Sequence, residues 1–376
     1  MNAPRRILLV AGEASGDLLG ARLAAALRRA DPTLHLYGVG GPAMREAGVE
    51  TFVDIAELGV MGFSELGRGL ARVVAILSRV RRELREGRPD LFVPIDFPDF
   101  NLRLCPTAAA AGIPVFYYVS PQVWAWRVGR LRTIARTVRR VLVLFPFEAE
   151  IYRARGVDAH FVGHPLAEGV VAGRGRDEVR RSLGLAEGER LVALLPGSRR
   201  HEVEAMLPPM LAAAKALGDG VRAVVAEAPS LPAGLVDAIV ARESPGIARV
   251  SDDTYTLVAA SDAALVTSGT ATLECALLGC PMVVAYRMSP FSYAVARRLV
   301  KVPFIAMPNL LLGRAAVPEL VQDDATPARM AAELSRLLDD EDLRVRTRSD
   351  FDAIRLLLVR PGAADRAAAL ALELLA

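Results

Sequence analysis

The segment VPIDFPDFNL, residues 93–102, ends an apolar run in Asp96 and then sets Asp99 and Asn101 around a proline. A carboxylate where a buried strand ends can serve as a general base once burial lifts its pKa. Pro98 starts a turn directly after Asp96, and Asp99 is well placed to cap the helix that follows. Asp99 therefore has a structural reason to be there and Asp96 has none, which favours Asp96 as the chemical group. The competing explanation for Asp96 is an ion pair with one of the chain's many arginines.

Four more polar clusters stand where apolar runs end: GEASGD (12–17), SPQVWAWR (120–127), PGSRRHE (196–202) and SGTATLE (268–274). In VTSGTATLECALLG, the residues Ser268, Gly269 and Thr270 would offer backbone N–H groups at a helix N-terminus. Orphan donors and the helix dipole both suit a phosphate there. Glu274, one turn in, could accept from ribose hydroxyls; a helix cap completed by Glu274 as a capping box fits the same residues. In LLPGSRRHEVE, Gly197 permits close approach and Arg199 can clamp a diphosphate with its planar fork, although an arginine in a solvated first turn reads the same way. VAGEASGDLLG is a third strand–glycine–helix junction. It lacks the GxGxxG pattern and an acidic residue about 20 positions on, which argues against a dinucleotide; Ser15 or Asp17 capping the helix is the alternative.

The elements that must position these clusters alternate. Short Val/Ile/Leu runs such as RRILLVAG, LHLYGVGG, VETFVDI, LFVPID, IPVFYYVS, RVLVLFP and AHFVG are separated by segments of helical period, among them an arginine-rich helix over roughly 64–86. Strands apolar on both faces belong in a parallel sheet between helix layers. GHPLAEGVVAGRGRDE interrupts the pattern, and it restarts at RLVALLPG with VRAVVAEA, IARVS, AALVTSG and MVVAY; everything from about 327 is helical. The expectation is an α/β chain of two doubly wound domains, 1–165 and 166–340, with helices over 341–376 that could dock back on the first domain. Ligands of such sheets bind outside the carboxyl ends of the strands, so the cleft between the domains is the expected site.

Composition narrows the class. A net charge of +3 is too small to argue for nucleic acid. Cys105, Cys275 and Cys280 form no CxxC pair and the four histidines are scattered, so a reducing compartment and no structural metal are expected. No uninterrupted apolar run is long enough to span a membrane, and the N-terminal run is too short for a signal peptide. One surface motif remains. ELGVMGFSELGRGLARVVAILSRVRREL joins Val60, Met61 and Phe63 to a helix bearing Arg68, Arg72, Arg79, Arg81 and Arg82. An apolar tip beside basic residues suits an anionic membrane surface; an amphipathic helix packed on its own sheet has the same pattern.

Taken together, AGEASGD, IDFPDFN, YVSPQVWAWR, FPFE…FVGHPL, LLPGSRRHEVE, SGTATLECALLGCPMVVAYRM and PNLLLGR resemble the lipid-A-disaccharide synthase family, in order, from about residue 7 to 325. The resemblance implies a GT-B glycosyltransferase fold, with two Rossmann-like domains facing across a cleft. It implies transfer of 2,3-diacylglucosamine from UDP-2,3-diacylglucosamine to the 6-hydroxyl of 2,3-diacylglucosamine 1-phosphate, with inversion and without cofactor or metal. Asp96 would be the general base. Arg199, Ser268, Gly269, Thr270, Glu274 and Asn309 would surround UDP. The loop Gly12, Glu13, Ser15, Gly16, Asp17 would lie near the acceptor. The acid pairs Asp252–Asp253 and Asp323–Asp324 are then solvated pairs rather than metal ligands. One departure is Gln122, where the family often has serine. The expected setting is the cytoplasmic face of the inner membrane of a Gram-negative bacterium, with peripheral attachment and the oligomeric state left open. A UDP-sugar epimerase on the same fold, or a non-catalytic nucleotide-sugar or lipid sensor, are the competing functions.

Overall fold

The computed structural model describes residues 4–58, 66–121, 129–164, 167–289, 293 and 302–375. The chain divides into two compact units, 1–165 together with 360–376, and 166–359.

In the first unit, strands β1 (Arg6–Val10), β2 (His35–Gly40), β3 (Glu50–Asp54) and β4 (Leu91–Pro94) form a parallel sheet of order β3-β2-β1-β4. Strands β5 (Phe116–Tyr118), β6 (Arg140–Val143) and β7 (Asp158–Phe161) continue it: the bridges Phe92–Val115 and Ile95–Tyr118 join β4 to β5. The order reverses between β1 and β4, which makes the gap beyond their carboxyl ends a topological switch point. Both faces are covered, as the apolar runs require. Leu8 and Val10 face one core cluster with Ile76, Val80 and Leu104, while Ile7 and Leu9 face another with Leu23, Leu27 and Ala367. This two-residue alternation places successive β1 side chains in opposite layers.

Helix α1 (Ala14–Ala30) buries Gly16, Gly20, Leu23, Ala24 and Leu27, a stripe of mostly small residues that lets it lie close to the sheet. A Cβ on Gly20 would come within 2.6 Å of Met44 Sδ. Short helix α2 (Pro42–Glu46) follows β2. Helix α3 (Leu66–Arg82) continues as a π-turn over Glu83–Gly87. Helices α4 (Pro98–Asn101), α5 (Cys105–Ala110), α6 (Gly129–Thr137) and α7 (Pro146–Arg153) complete the described helices up to β7.

The second unit repeats the plan. Helix α8 (Arg176–Ser182) precedes a parallel sheet of β8 (Arg190–Leu195), β9 (Val221–Ala226), β10 (Ala248–Val250), β11 (Ala263–Thr267), β12 (Met282–Tyr286) and β13 (Glu319–Val321), ordered β10-β9-β8-β11-β12-β13. Its switch point lies between β8 and β11. The short strand β13 was not expected from the sequence, since three residues carry no usable periodicity. Helices α9 (Arg200–Ala216), α10 (Leu235–Glu243), α11 (Thr254–Ala260), α12 (Thr270–Leu277), α13 (Met307–Leu312) and α14 (Pro327–Asp339) follow in chain order. Asp262 pins α8 to the sheet: it accepts from Leu191 N at 2.7 Å and from Arg176 and Arg180.

The C-terminal helices separate. Helix α15 (Glu341–Leu358) is capped by Asp340, which accepts from Leu343 N, and belongs to the second unit, where Arg355 donates to Leu277 O. The second unit thus runs past the boundary near 340 that the sequence suggested, because α15 buries Phe351, Ile354 and Leu358. Helix α16 (Ala363–Leu372) packs on α1 in the first unit through Ala363, Ala367, Ala368 and Ala371. Arg140 donates to Leu370 O and Glu373, and Arg366 to Val162 O, which fastens that helix. Among the described residues no helix is long and apolar enough to cross a membrane.

Candidate functional site

At the switch point of the first unit, the loop after β1 and the loop after β4 enclose a pocket of about 470 Å³ lined by Gly12, Glu13, Ser15, Gly16 and residues 95–99. Asp96 sits in it. Its backbone and that of Phe97 both take the left-handed conformation, each with φ of 46°. This region costs energy for residues with a Cβ, most for a bulky one, and persists only where the surroundings hold it. Asp96 N donates to Tyr118 O at 3.0 Å, while Asp96 O accepts from Asn101 Nδ2 at 2.8 Å and from the Tyr117 hydroxyl at 2.9 Å. Burial pushes the Asp96 carboxyl above the usual carboxylate range, a backbone N–H from Phe97 opposes this, and the like charge of Glu13 adds to the rise. Among the described residues no arginine pairs with it.

Asp99 does not cap the helix. Phe97 occupies that position, and Asp99 lies within the first turn, ion-paired with Arg130. Gly12 is needed for space: a Cβ there would stand 2.1 Å from Cδ1 of Phe97, whose ring lies over the glycine. Ser15 lines the pocket from the first turn of α1 without capping it; the N-cap is Glu13. Asp17 is turned to another task. Its buried carboxylate accepts from Gly41 N at 2.6 Å, Ala43 N at 3.0 Å and Met44 N at 3.1 Å, so it caps α2 rather than its own helix, and it does not line the pocket.

The switch point of the second unit holds a larger pocket, about 1600 Å³, bordered by the turn after β8 and the turn after β11. It gathers Gly197, Ser198, Arg199, Ser268, Gly269, Thr270 and Glu274. The two turns differ. At the first, the buried Glu202 carboxylate accepts from Ser198 N at 3.1 Å, Arg199 N at 3.2 Å and Arg199 Nη1 at 3.1 Å. The chain's own carboxylate thus occupies the backbone donors that an anion would have used, and the mostly exposed Arg199 guanidinium is what this turn offers a ligand. At the second, Ser268 Oγ donates to Ile305 O, and Thr272 Oγ1 donates to Gly269 O while accepting from Met307 N. These bonds fix the turn without a side chain over the exposed residues Gly269 and Thr270 at the N-terminus of α12.

Glu274 is half-buried and forms no capping box; it accepts from the Tyr255 hydroxyl at 3.0 Å. Burial raises its pKa and the Tyr255 bond opposes the rise. Asp252 and Asp253 also border the pocket, Asp253 paired with Arg174 at 2.8 Å. Asp324 pairs with Arg329.

Asn309 is not in this pocket. Fully buried on α13, its amide donates to Val317 O at 2.9 Å and Glu319 Oε1 at 2.8 Å and accepts from Ala316 N at 2.7 Å and Val317 N at 2.9 Å. Both amide hydrogens and both lone pairs are used internally. Val60, Met61, Phe63 and Gln122 lie outside the described residues. Of the arginines beside them, Arg79 stacks over Phe52 at 4.9 Å and Arg81 donates to Arg103 O at 3.3 Å.

Sequence reasoning missed Tyr117, Tyr255 and Glu202. Glu202 follows Arg199 by three residues, the spacing of a capping box, so that signal was readable. The tyrosines are brought in by the sheet from elsewhere and carry no local signature.

Two doubly wound parallel sheets, each with a pocket at its switch point, define a GT-B-type glycosyltransferase fold. The calicheamicin glycosyltransferase shares it, with a TM-score of 0.59 at 18% identity over 100% of this chain and 99% of that one. So does UDP-GlcNAc 2-epimerase from Neisseria meningitidis, solved bound to UDP-GlcNAc, with a TM-score of 0.63 at 10% identity over 98% of each chain. At these identities the likeness is one of fold. The sequence decides further: residues 7–374 match the family model for lipid-A-disaccharide synthetase. The lipid-A-disaccharide synthase of Syntrophus aciditrophicus is 45% identical over 373 residues, 98% of this chain and 97% of that protein. The chain belongs to the lipid-A-disaccharide synthase family, and is a glycosyltransferase of lipid A biosynthesis rather than one of the epimerases that share its fold.

Proposed function

We propose that the chain transfers 2,3-diacylglucosamine from UDP-2,3-diacylglucosamine to the 6-hydroxyl of 2,3-diacylglucosamine 1-phosphate, with Asp96 as general base. The observation that carries this reading is the Asp96 carboxylate: at a switch point, lifted by burial, without an arginine partner among the described residues, and on a corner whose backbone is pinned at three points. Asp96 takes the proton of the acceptor hydroxyl as that oxygen attacks the anomeric carbon. The bond from that carbon to the diphosphate breaks, and UDP leaves with the electron pair. A single displacement needs one base and no protein nucleophile, and it inverts the centre.

The departing diphosphate gathers negative charge. The Arg199 guanidinium and the open N–H groups at the start of α12 would oppose it, with no reorganisation at the moment of reaction. Glu274, steadied by Tyr255, would accept from ribose hydroxyls. Gly12, Glu13, Ser15 and Gly16 would border the acceptor sugar. Asp17 and Asn309 support these sites through their helices and do not touch ligand. Incubation with both lipid substrates tests the reading: a disaccharide 1-phosphate and UDP should appear in equal amounts, and release of UDP without disaccharide would overturn it.

Both substrates carry acyl chains, so the protein works at a lipid surface. We place that contact, on the sequence pattern, at Val60, Met61 and Phe63 with neighbouring arginines, on the cytoplasmic leaflet. Each basic residue near an anionic surface contributes on the order of 1 kcal/mol, which gives reversible, salt-sensitive attachment. Changing all three apolar residues to serine should reduce sedimentation with anionic vesicles and leave UDP binding intact; unchanged sedimentation would remove this contact.

A further inference from the structure

Asp96 contributes its carboxylate to the pocket, but the backbone that aims it is held from behind. Tyr117 and Asn101 are both fully buried. The Tyr117 hydroxyl and Asn101 Nδ2 occupy both acceptor positions of the Asp96 carbonyl, at 2.9 and 2.8 Å. Asn101 Nδ2 also lies 3.2 Å from Val10 O and 3.2 Å from Ile95 O, so one amide group ties the end of β1, the end of β4 and Asp96 together. Three acceptors on an amine with two hydrogens means that one hydrogen is shared. Meanwhile Asn101 Oδ1 is buried with no hydrogen-bond partner among the described residues.

An unmade bond on a buried amide oxygen is destabilising. A residue chosen for stability alone would not leave it, nor would it hold Asp96 and Phe97 at φ of 46°. The orphaned oxygen and the two left-handed residues fall on the same corner, and the corner's one chemical group is the Asp96 carboxylate.

We propose that Tyr117 and Asn101 are positioning residues for Asp96, clamping its carbonyl so that the left-handed corner presents the carboxylate to the acceptor hydroxyl. The proposal rests on Asp96 being the general base. Burial holds the Tyr117 phenol far above its ordinary pKa, so it stays protonated and remains a donor at every working pH. The carboxylate meets a backbone N–H from Phe97 but no arginine among the described residues, which leaves it able to accept and release a proton. With the carbonyl released, the corner can relax toward an ordinary conformation, and displacement of a base by about 1 Å can cost as much as 10²-fold in rate.

The experiment is a double-mutant cycle on the full chain, using Tyr117→Phe, which keeps the ring and removes only the hydroxyl. Tyr117→Phe should lower kcat roughly 10-fold, within that ceiling, while KM for both lipids and the affinity for UDP stay at the parent values. In the Asp96→Asn background the same change should slow the residual reaction no further, because its effect passes through the Asp96 carboxylate. Asn101→Ser keeps a small donor at the site and should behave as Tyr117→Phe does; if it fails to fold, the Tyr117 cycle decides alone. A full multiplicative loss in the double variant would make Tyr117 a general structural residue and overturn the proposal, as would unchanged kcat in Tyr117→Phe beside a slow Asp96→Asn. Normal turnover by Asp96→Asn itself is a different failure: it removes the base assignment, and the positioning role falls with it.

Discussion

The corner after β4 and the turn after β8 solve the same steric problem in opposite ways. Each follows a parallel strand at a switch point, and each needs a left-handed residue. The second unit uses glycine: Gly197 has φ of 117°, and a Cβ there would lie 2.7 Å from both Cβ and Oε2 of Glu202. The first unit puts Asp96 and Phe97 there instead and holds them with Tyr117, Asn101 and the neighbouring strand. The difference follows from what must act. In the proposed UDP site this turn contributes one guanidinium and nothing from the bend residue's side chain, so the residue at the bend can be glycine. In the proposed proton transfer the bend residue's own side chain acts, so a Cβ must be tolerated and the strain offset by surrounding donors. Under the proposed function, glycine relieves the binding turn and the catalytic corner is braced.

The largest expected break in this contrast is Asp96→Asn. It preserves shape and hydrogen bonding of the corner and should lower turnover by about 10²–10⁴-fold with UDP affinity intact. Steady-state rates beside calorimetry with UDP read both quantities. Next comes the second unit. Arg199→Ala removes a charge-assisted contact and should weaken UDP binding by about 10–100-fold, the range of 1.5–3 kcal/mol. Gly197→Ala, which forces Glu202 aside and loosens the backbone it holds, should act in the same direction but less strongly. If Gly197→Ala instead lowered kcat at unchanged UDP affinity, the two corners would not differ in kind. Asn309→Ala should leave UDP affinity alone and lower the unfolding temperature, because the groups it satisfies include buried backbone N–H groups. A selective loss of UDP binding in a folded Asn309→Ala protein would return that residue to the site.

The contrast also marks how far the sequence could be read. The alternation of apolar runs and helical segments carried the doubly wound architecture, since strands covered on both faces announce themselves. The carboxylate that lacked a structural reason, Asp96, and the glycine-rich turns at 197 and 269 were visible as local chemistry. What escaped was whatever a distant element supplies. Asp17 looked like part of the loop after β1 until α2, some 25 positions on, proved to take its carboxylate. Asn309 looked like a ligand residue because it lies in a recognisable motif, yet β13 and the segment before it saturate its amide. Tyr117 sits inside an apolar strand where a buried tyrosine reads as core, and only the sheet brings its hydroxyl to Asp96. Spacing reveals partners within a helical turn; it does not reveal which strand end will stand beside which.

The smallest expected effect bears on the cost of the braced corner. Burial raises the Asp96 carboxyl above its ordinary range, so the folded protein holds a proton on this group more tightly than the unfolded chain does. By linkage, that group destabilises the fold above its folded pKa, where it must ionise in a poorly solvated place, and the penalty fades as pH falls through that value. Asp96→Asn carries no charge at any pH. It should therefore unfold at a slightly higher temperature than the parent at neutral pH, and the gain should vanish on acidification below the raised pKa. The same ionisation sets the acid limb of the rate profile, which should lie above that of an ordinary carboxylate. Melting curves across this pH range, with and without the asparagine, read the effect without any substrate. An asparagine variant that melts lower at neutral pH and stays lower in acid would mean that the carboxylate stabilises the corner, and the division between braced catalysis and relaxed binding would lose its energetic basis.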